Sequence, residues 1–149
     1  MVTSLTDAIP DGAHVAFDTN ALIYWIERNP TYLSVVEPVF DKVIRRQIHG
    51  HSSAVSLIEV LVKPIRDGRQ DLVVQYRSLI VNSRNFAVHD VTVGVSEQAA
   101  AIRARWNLRV PDAIVAATAL LTGCTHVVTN DPDLEPVEGF KVHVITDYV

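Results

Sequence analysis

The sequence predicts an α/β fold in which helices pack around a mainly parallel sheet, and three observations carry that expectation. Short β-branched or apolar runs alternate with helical segments, and parallel strands need crossover connections that are usually helical. The length of 149 residues fits one domain with a sizeable core and is too short for two well-formed ones. Apolar residues make up 48% and charged residues 20%, a balance that argues against extensive disorder.

Residues 1–13 read as a polar leader closed by turn chemistry at Pro10-Asp11-Gly12, after which His14 to Phe17 forms a first buried strand running into Asp18. A helix follows over Ala21 to Glu27, capped by Thr19 or Asn20, and a second spans Val35 to Gln47 after the Asn29-Pro30 break. His51 to Ala54 reads as a short strand. Ser56 then opens a helix through LIEVLVK that Pro64 stops. Asp67 to Val81 is helical, Phe86 to Val91 a strand and Val95 to Arg105 a helix. Pro111 starts the next helix, which runs through Ala113 to Leu121 and ends near Gly123. Thr125 to Thr129 and Val142 to Thr146 have the β-branched character of buried strands.

The bulk charge narrows the function classes. A net charge of −4 argues against coating nucleic acid with a broad basic surface, although it leaves open nucleic acid reached through a metal. The lone Cys124 excludes an internal disulfide, and no Cys/His set has zinc spacing. No apolar stretch has signal-peptide or membrane-spanning length, so the chain reads as cytoplasmic.

Four acids stand out by position. Asp18 follows the first strand, Glu59 sits in S-x-x-E spacing after Ser56, Asp112 lies in the first turn of the Pro111 helix, and Asp131 lies in TNDPDL. Each has an ordinary structural explanation: a helix cap, a capping box, a dipole-compatible acid and a turn. Their joint placement at strand ends and helix starts is more informative, because these lie along one edge of the inferred sheet, where α/β folds bind ligands. Packed carboxylates repel unless a cation stabilises them. No Lys or Arg lies in VAFDTN or VVTNDPD, so a hard divalent cation with oxygen ligands is the natural partner, Mg²⁺ first and Mn²⁺ second. Such a site suits hydrolysis of a phosphodiester. Asp18 and Asp112 are assigned as direct ligands, Asp131 as a second-metal or water-mediated ligand, and Glu59 as a water-orienting or second-metal acid.

Taken in order, VAFDTNALIYWIE, SLIEVL, VPDAIVAATAL and VVTNDPDL resemble the segments of PIN-domain nucleases, and specifically the VapC-type toxins of toxin–antitoxin pairs. The resemblance covers nearly the whole chain. It implies a three-layer α/β/α sandwich with a short parallel sheet, frequent homodimerisation, and Mg²⁺- or Mn²⁺-dependent hydrolysis of RNA such as tRNA, ribosomal RNA or mRNA, leaving 5′-phosphate and 3′-hydroxyl ends. It also implies an antitoxin partner that covers the acidic pocket, often with an arginine. On the matching positions, Asn20, Ser56, Thr129 and Asn130 are expected to orient substrate or water around the acids.

Other residues fall outside this site. Asp133 is assigned to turn capping or solvent, and Arg103, Arg105 and Arg109 could contact phosphates or simply be solvated. Tyr24, Trp25 and Trp106 could stack on bases, with packing the preferred role. His49 and His51 align on a strand but are left out of the metal site. Two competing functions are a non-catalytic module that recruits an arginine-bearing partner, and a haloacid-dehalogenase-like phosphatase, whose loop FDTNAL partly resembles. The latter pattern needs a second aspartate where Asn20 stands.

Overall fold

The computed structural model describes residues 3–149, so Met1 and Val2 of the expected leader lie outside the described residues. The strands are β1 (His14–Phe17), β2 (His49–Ser53), β3 (Phe86–His89), β4 (His126–Thr129) and β5 (Lys141–Val144). They form one sheet in the order β3-β2-β1-β4-β5, every pair parallel. The helices are α1 (Leu5–Ala8), α2 (Thr19–Ile26), α3 (Leu33–Ile44), α4 (Ala54–Arg66), α5 (Gln70–Val81), α6 (Val93–Trp106) and α7 (Val110–Leu121).

The central strand explains the layering. Val15 and Phe17 point into a larger core shared with α1 to α5, whereas Ala16 points into a second core with α6 and α7. Successive strand side chains alternate between faces, so a strand that is apolar throughout must be covered on both. Phe40 of α3 stacks on Phe17 at 4.4 Å and on Trp25 at 4.3 Å between ring centroids, which fixes α2 and α3 over the sheet.

Several local expectations are corrected. The leader is not simply polar: Ser4 caps α1, and Leu5 and Ile9 are buried in the larger core. Asp18, rather than Thr19 or Asn20, is the cap of α2. Ser56 does not open α4; Ser53 caps it, placing Ser56 in the first turn with its hydroxyl buried, so no Ser56–Glu59 capping box forms. Pro64 lies inside α4, which continues to Arg66, and Pro38 lies inside α3. Pro64 and the flank of α3 around Pro38 are held by packing, which outweighs the one backbone bond each proline removes. β2 begins at His49, and the last strand ends at Val144, where a 3₁₀ turn, Ile145–Tyr148, takes over.

Candidate active site

Reading outward from β1, the chain proceeds to β2 and β3 on one side and to β4 and β5 on the other. The crevice beyond the carboxyl ends of β1 and β4 is therefore the switch point at which α/β sheets bind ligands. Asp18 follows β1 directly, and Asp131 follows β4 by two residues. Asp18 N donates to Val128 O at 2.9 Å, zipping the two strand ends together.

Asp18 is only 4% exposed. Its Oδ1 accepts from Thr19 N at 2.8 Å and its Oδ2 from Thr129 Oγ1 at 2.8 Å, with Asn20 Nδ2 at 3.5 Å. Burial raises its pKa from 3.8 to about 6; the bonds from Thr129 and Thr19 oppose the rise, and Asp112 and Glu59 add to it. The hydrogen-bond donors thus fail to make up for lost solvation.

Asp112 is buried in the first turn of α7, which its charge suits. Burial again pushes its pKa up, opposed by Arg109 and reinforced by Asp131 and Glu59. Arg109 Nε donates to Asp112 Oδ2 at 3.1 Å. Glu59 lies on the exposed side of α4 and is tied to the crevice through Thr19, whose hydroxyl is 2.8 Å from both Glu59 Oε1 and Ser56 Oγ. With one proton, that hydroxyl donates to one of them at a time.

Thr129 joins two acids: its hydroxyl donates to Asp18 and accepts from Asp131 N at 3.0 Å. The Asp131 carboxylate caps the following turn by accepting from Asp133 N at 2.9 Å, while Asp133 itself is exposed. Asn20 and Asn130 act as braces. Asn130 N donates to Asn20 Oδ1, its Nδ2 to Tyr24 OH at 3.1 Å, and its Oδ1 accepts from Thr146 N at 3.0 Å.

The four acids therefore share one electrostatic neighbourhood, since Asp18 feels Asp112 and Glu59, and Asp112 feels Asp131 and Glu59. They do not converge as a preassembled ligand cage: among the described residues, no three Asp, Glu, His or Cys side chains are gathered as metal ligands. The donor chemistry nonetheless fits a hard divalent cation. All donors are oxygens, and the two buried carboxylates carry raised proton affinity that an added positive charge would relieve.

Sequence reasoning missed Thr19 as the link between β1 and α4, and Arg109 as a partner of Asp112. The i,i+3 spacing of Arg109 and Asp112 was a usable signal for the second. The packing residues behave otherwise: Trp25 stacks in the core, and Arg105 lies 4.4 Å over the Trp106 ring while pairing with Glu138. His51 bonds to His14 and His89, and His49 stacks on His14, all on β1, β2 and β3 and unconnected by any hydrogen bond to the acids.

A parallel sheet with an acidic crevice at its switch point defines an α/β class of proteins, and the family is identified by sequence. Residues 15–139 match the PIN domain, and the chain belongs to that family. No curated protein matches the sequence. Among solved structures, the DNA-bound VapBC of Salmonella typhimurium is similar at TM-score 0.70 and 20% identity, covering 88% of this chain and 97% of that one. VapBC2 of Rickettsia felis, bound to a promoter DNA fragment, gives 0.66 at 13% identity, covering 87% and 97%. VapC20 of Mycobacterium tuberculosis, described as a sarcin-ricin loop cleaving toxin, gives 0.62 at 17% identity, covering 76% and 86%. At these identities the likeness concerns the fold.

Proposed function

We propose that this PIN-domain protein is a Mg²⁺- or Mn²⁺-dependent endoribonuclease and the toxin of a toxin–antitoxin pair acting in the cytoplasm. The observation that carries the reading is the pair of buried carboxylates, Asp18 and Asp112, held at the switch point with raised proton affinity. Asp18 and Asp112 hold the cation, with Asp131 and Glu59 completing its surroundings directly or through water. When bound, the cation supplies Lewis acidity toward a phosphodiester and lowers the pKa of an attacking water.

The protein's own part is positioning. Thr129 and the Thr19 backbone fix both oxygens of Asp18, and the Thr19 hydroxyl sets where Glu59 can hold water. Asn20 and Asn130 hold the β4 loop against α2 so that Asp131 keeps its place. Exposed Arg103 is available to an RNA phosphate, in tRNA, ribosomal RNA or mRNA. A second copy of the chain is expected on α4, whose Ile58, Val62 and Ile65 are 64%, 40% and 60% exposed at helical spacing. An antitoxin partner is expected, since VapBC complexes stand among the structural relatives, and a segment of it would cover the acids.

Purified protein should cut total RNA with Mg²⁺ or Mn²⁺, leave it intact in EDTA, and produce 5′-phosphate ends. Asp18→Asn and Asp112→Asn should each lower cleavage by at least ~100-fold in a folded protein. Full activity in either variant overturns the assignment. The Arg109–Asp112 pair favours one second reading, a non-catalytic module whose acids bind arginine. Uncut RNA together with Asp18-dependent binding of an arginine-bearing partner would support that reading instead.

A further inference from the structure

We propose that Arg109 is a resident counter-ion that competes with the divalent cation for Asp112, so that the free protein holds its own site partly neutralised. The inference rests on the metal-dependent reading above, and three features of the pair argue for it.

The first is asymmetry. The Asp112 side chain is 7% exposed and fixed in the first turn of α7, whereas Arg109 is 75% exposed. The carboxylate is the fixed partner and the guanidinium the movable one. The second is geometry. Arg109 occupies the cap position of α7, where a guanidinium has no acceptor to offer the helix N–H groups, and it reaches Asp112 through Nε alone. A fork that used two nitrogens would act as a clamp; a single-point contact open to solvent is weak and exchangeable. The third is reach. Arg109 also feels Asp131 and Glu59, and among the described residues no other Lys or Arg forms an ion pair with any of the four acids. Among the described residues it is thus the one Lys or Arg that forms an ion pair with an acid of the site.

This accounts for an otherwise awkward pair of facts. The acids are mutually coupled, yet no three are gathered as ligands. With Asp112 Oδ2 engaged by Arg109, one of the two buried carboxylates is committed elsewhere. A cation near Asp18 would have to displace the guanidinium to take that oxygen, and would otherwise share the Asp112 charge with Arg109.

The test is direct Mn²⁺ binding to the full chain, by calorimetry or by the resonance of free Mn²⁺, comparing wild type, Arg109→Gln and Arg109→Ala. Both substitutions remove the charge, and because the Arg109 side chain is exposed neither opens a cavity. Each should bind Mn²⁺ about fivefold more tightly, the scale of an exposed ion pair. Asp112→Asn should bind more weakly than wild type, and adding Arg109→Gln to it should bring little further gain. If wild type binds Mn²⁺ and the Arg109 variants bind equally or more weakly, this inference falls and the metal-dependent reading stands. If none of the proteins binds Mn²⁺, both fall. Binding by the Arg109 variants alone would support the competition in its strongest form.

Discussion

Replacing Asp18 by Asn should abolish activity and yet stabilise the metal-free protein. Folding raises the Asp18 pKa from 3.8 to about 6, so above pH 6 the folded chain holds an ion it resists. At 1.36 kcal/mol per pKa unit, that difference costs about 3 kcal/mol at neutral pH. The sign follows from proton counts. Between pH 3.8 and 6 the folded state binds more protons than the unfolded one, so stability falls as pH rises and the full cost is present above about 6. Asn removes the titration but cannot accept from both Thr19 N and Thr129 Oγ1, a loss of about 1 kcal/mol. The net gain is therefore about 2 kcal/mol, which in a chain of 149 residues raises Tm by roughly 4–8 °C. Urea or thermal unfolding in EDTA from pH 5 to 8 measures it. The advantage of Asp18→Asn should grow from pH 5 through about 6 and level off above it, and saturating Mg²⁺ should shrink it by stabilising wild type alone. A variant less stable than wild type at pH 7.5, or an advantage independent of pH, would refute the reasoning.

Three further outcomes follow from other parts of the molecule. Burial, then His89, His14 and His49, hold His51 down at about 4 from 6.5. Its contribution to stability is complete above pH 6.5 and lost as pH falls toward 4, so His51→Gln should flatten that part of the pH–stability curve by up to one proton. Asn130→Ala removes the side-chain bonds to Tyr24 and Thr146 and should cost about 1–3 kcal/mol in urea unfolding, with reduced cleavage because the Asp131 loop loosens. Gly50→Ala would set a methyl 2.5 Å from Phe86 Cδ2 and 3.0 Å from Val43 Cγ1, and should destabilise by about 1–3 kcal/mol without changing metal affinity.

The parts of the fold that were legible are those written in local pattern. HVAF followed by an acid, and VPD followed by an alanine-rich run, announce a strand end and a helix start, and the structure puts Asp18 and Asp112 there. The short helix α1 was hidden because only two of its neighbourhood's side chains, Leu5 and Ile9, are needed to anchor it. The start of α4 was expected at Ser56 and its cap falls at Ser53, a position the apolar pattern alone does not single out. It is settled by where β2 stops, a property of pairing with β1 and β3 rather than of the segment itself. Pro64 illustrates the converse, a local stop signal overruled by burial. The links within the site, Thr19 to Glu59 and Thr129 to Asp18, span 40 and 111 residues and carry no sequence periodicity.

That last separation bears on when the crevice is completed as the chain is made. β1 is central, and Asp18 is made early, but the strand and hydroxyl that hold it in place belong to β4. A chain released from the ribosome before Thr129 would carry Asp18, Glu59 and Asp112 with no β4 to close the crevice and no Asp131 to complete it. Interrupted synthesis thus yields fragments without the assembled site, and the complete crevice arrives late in translation.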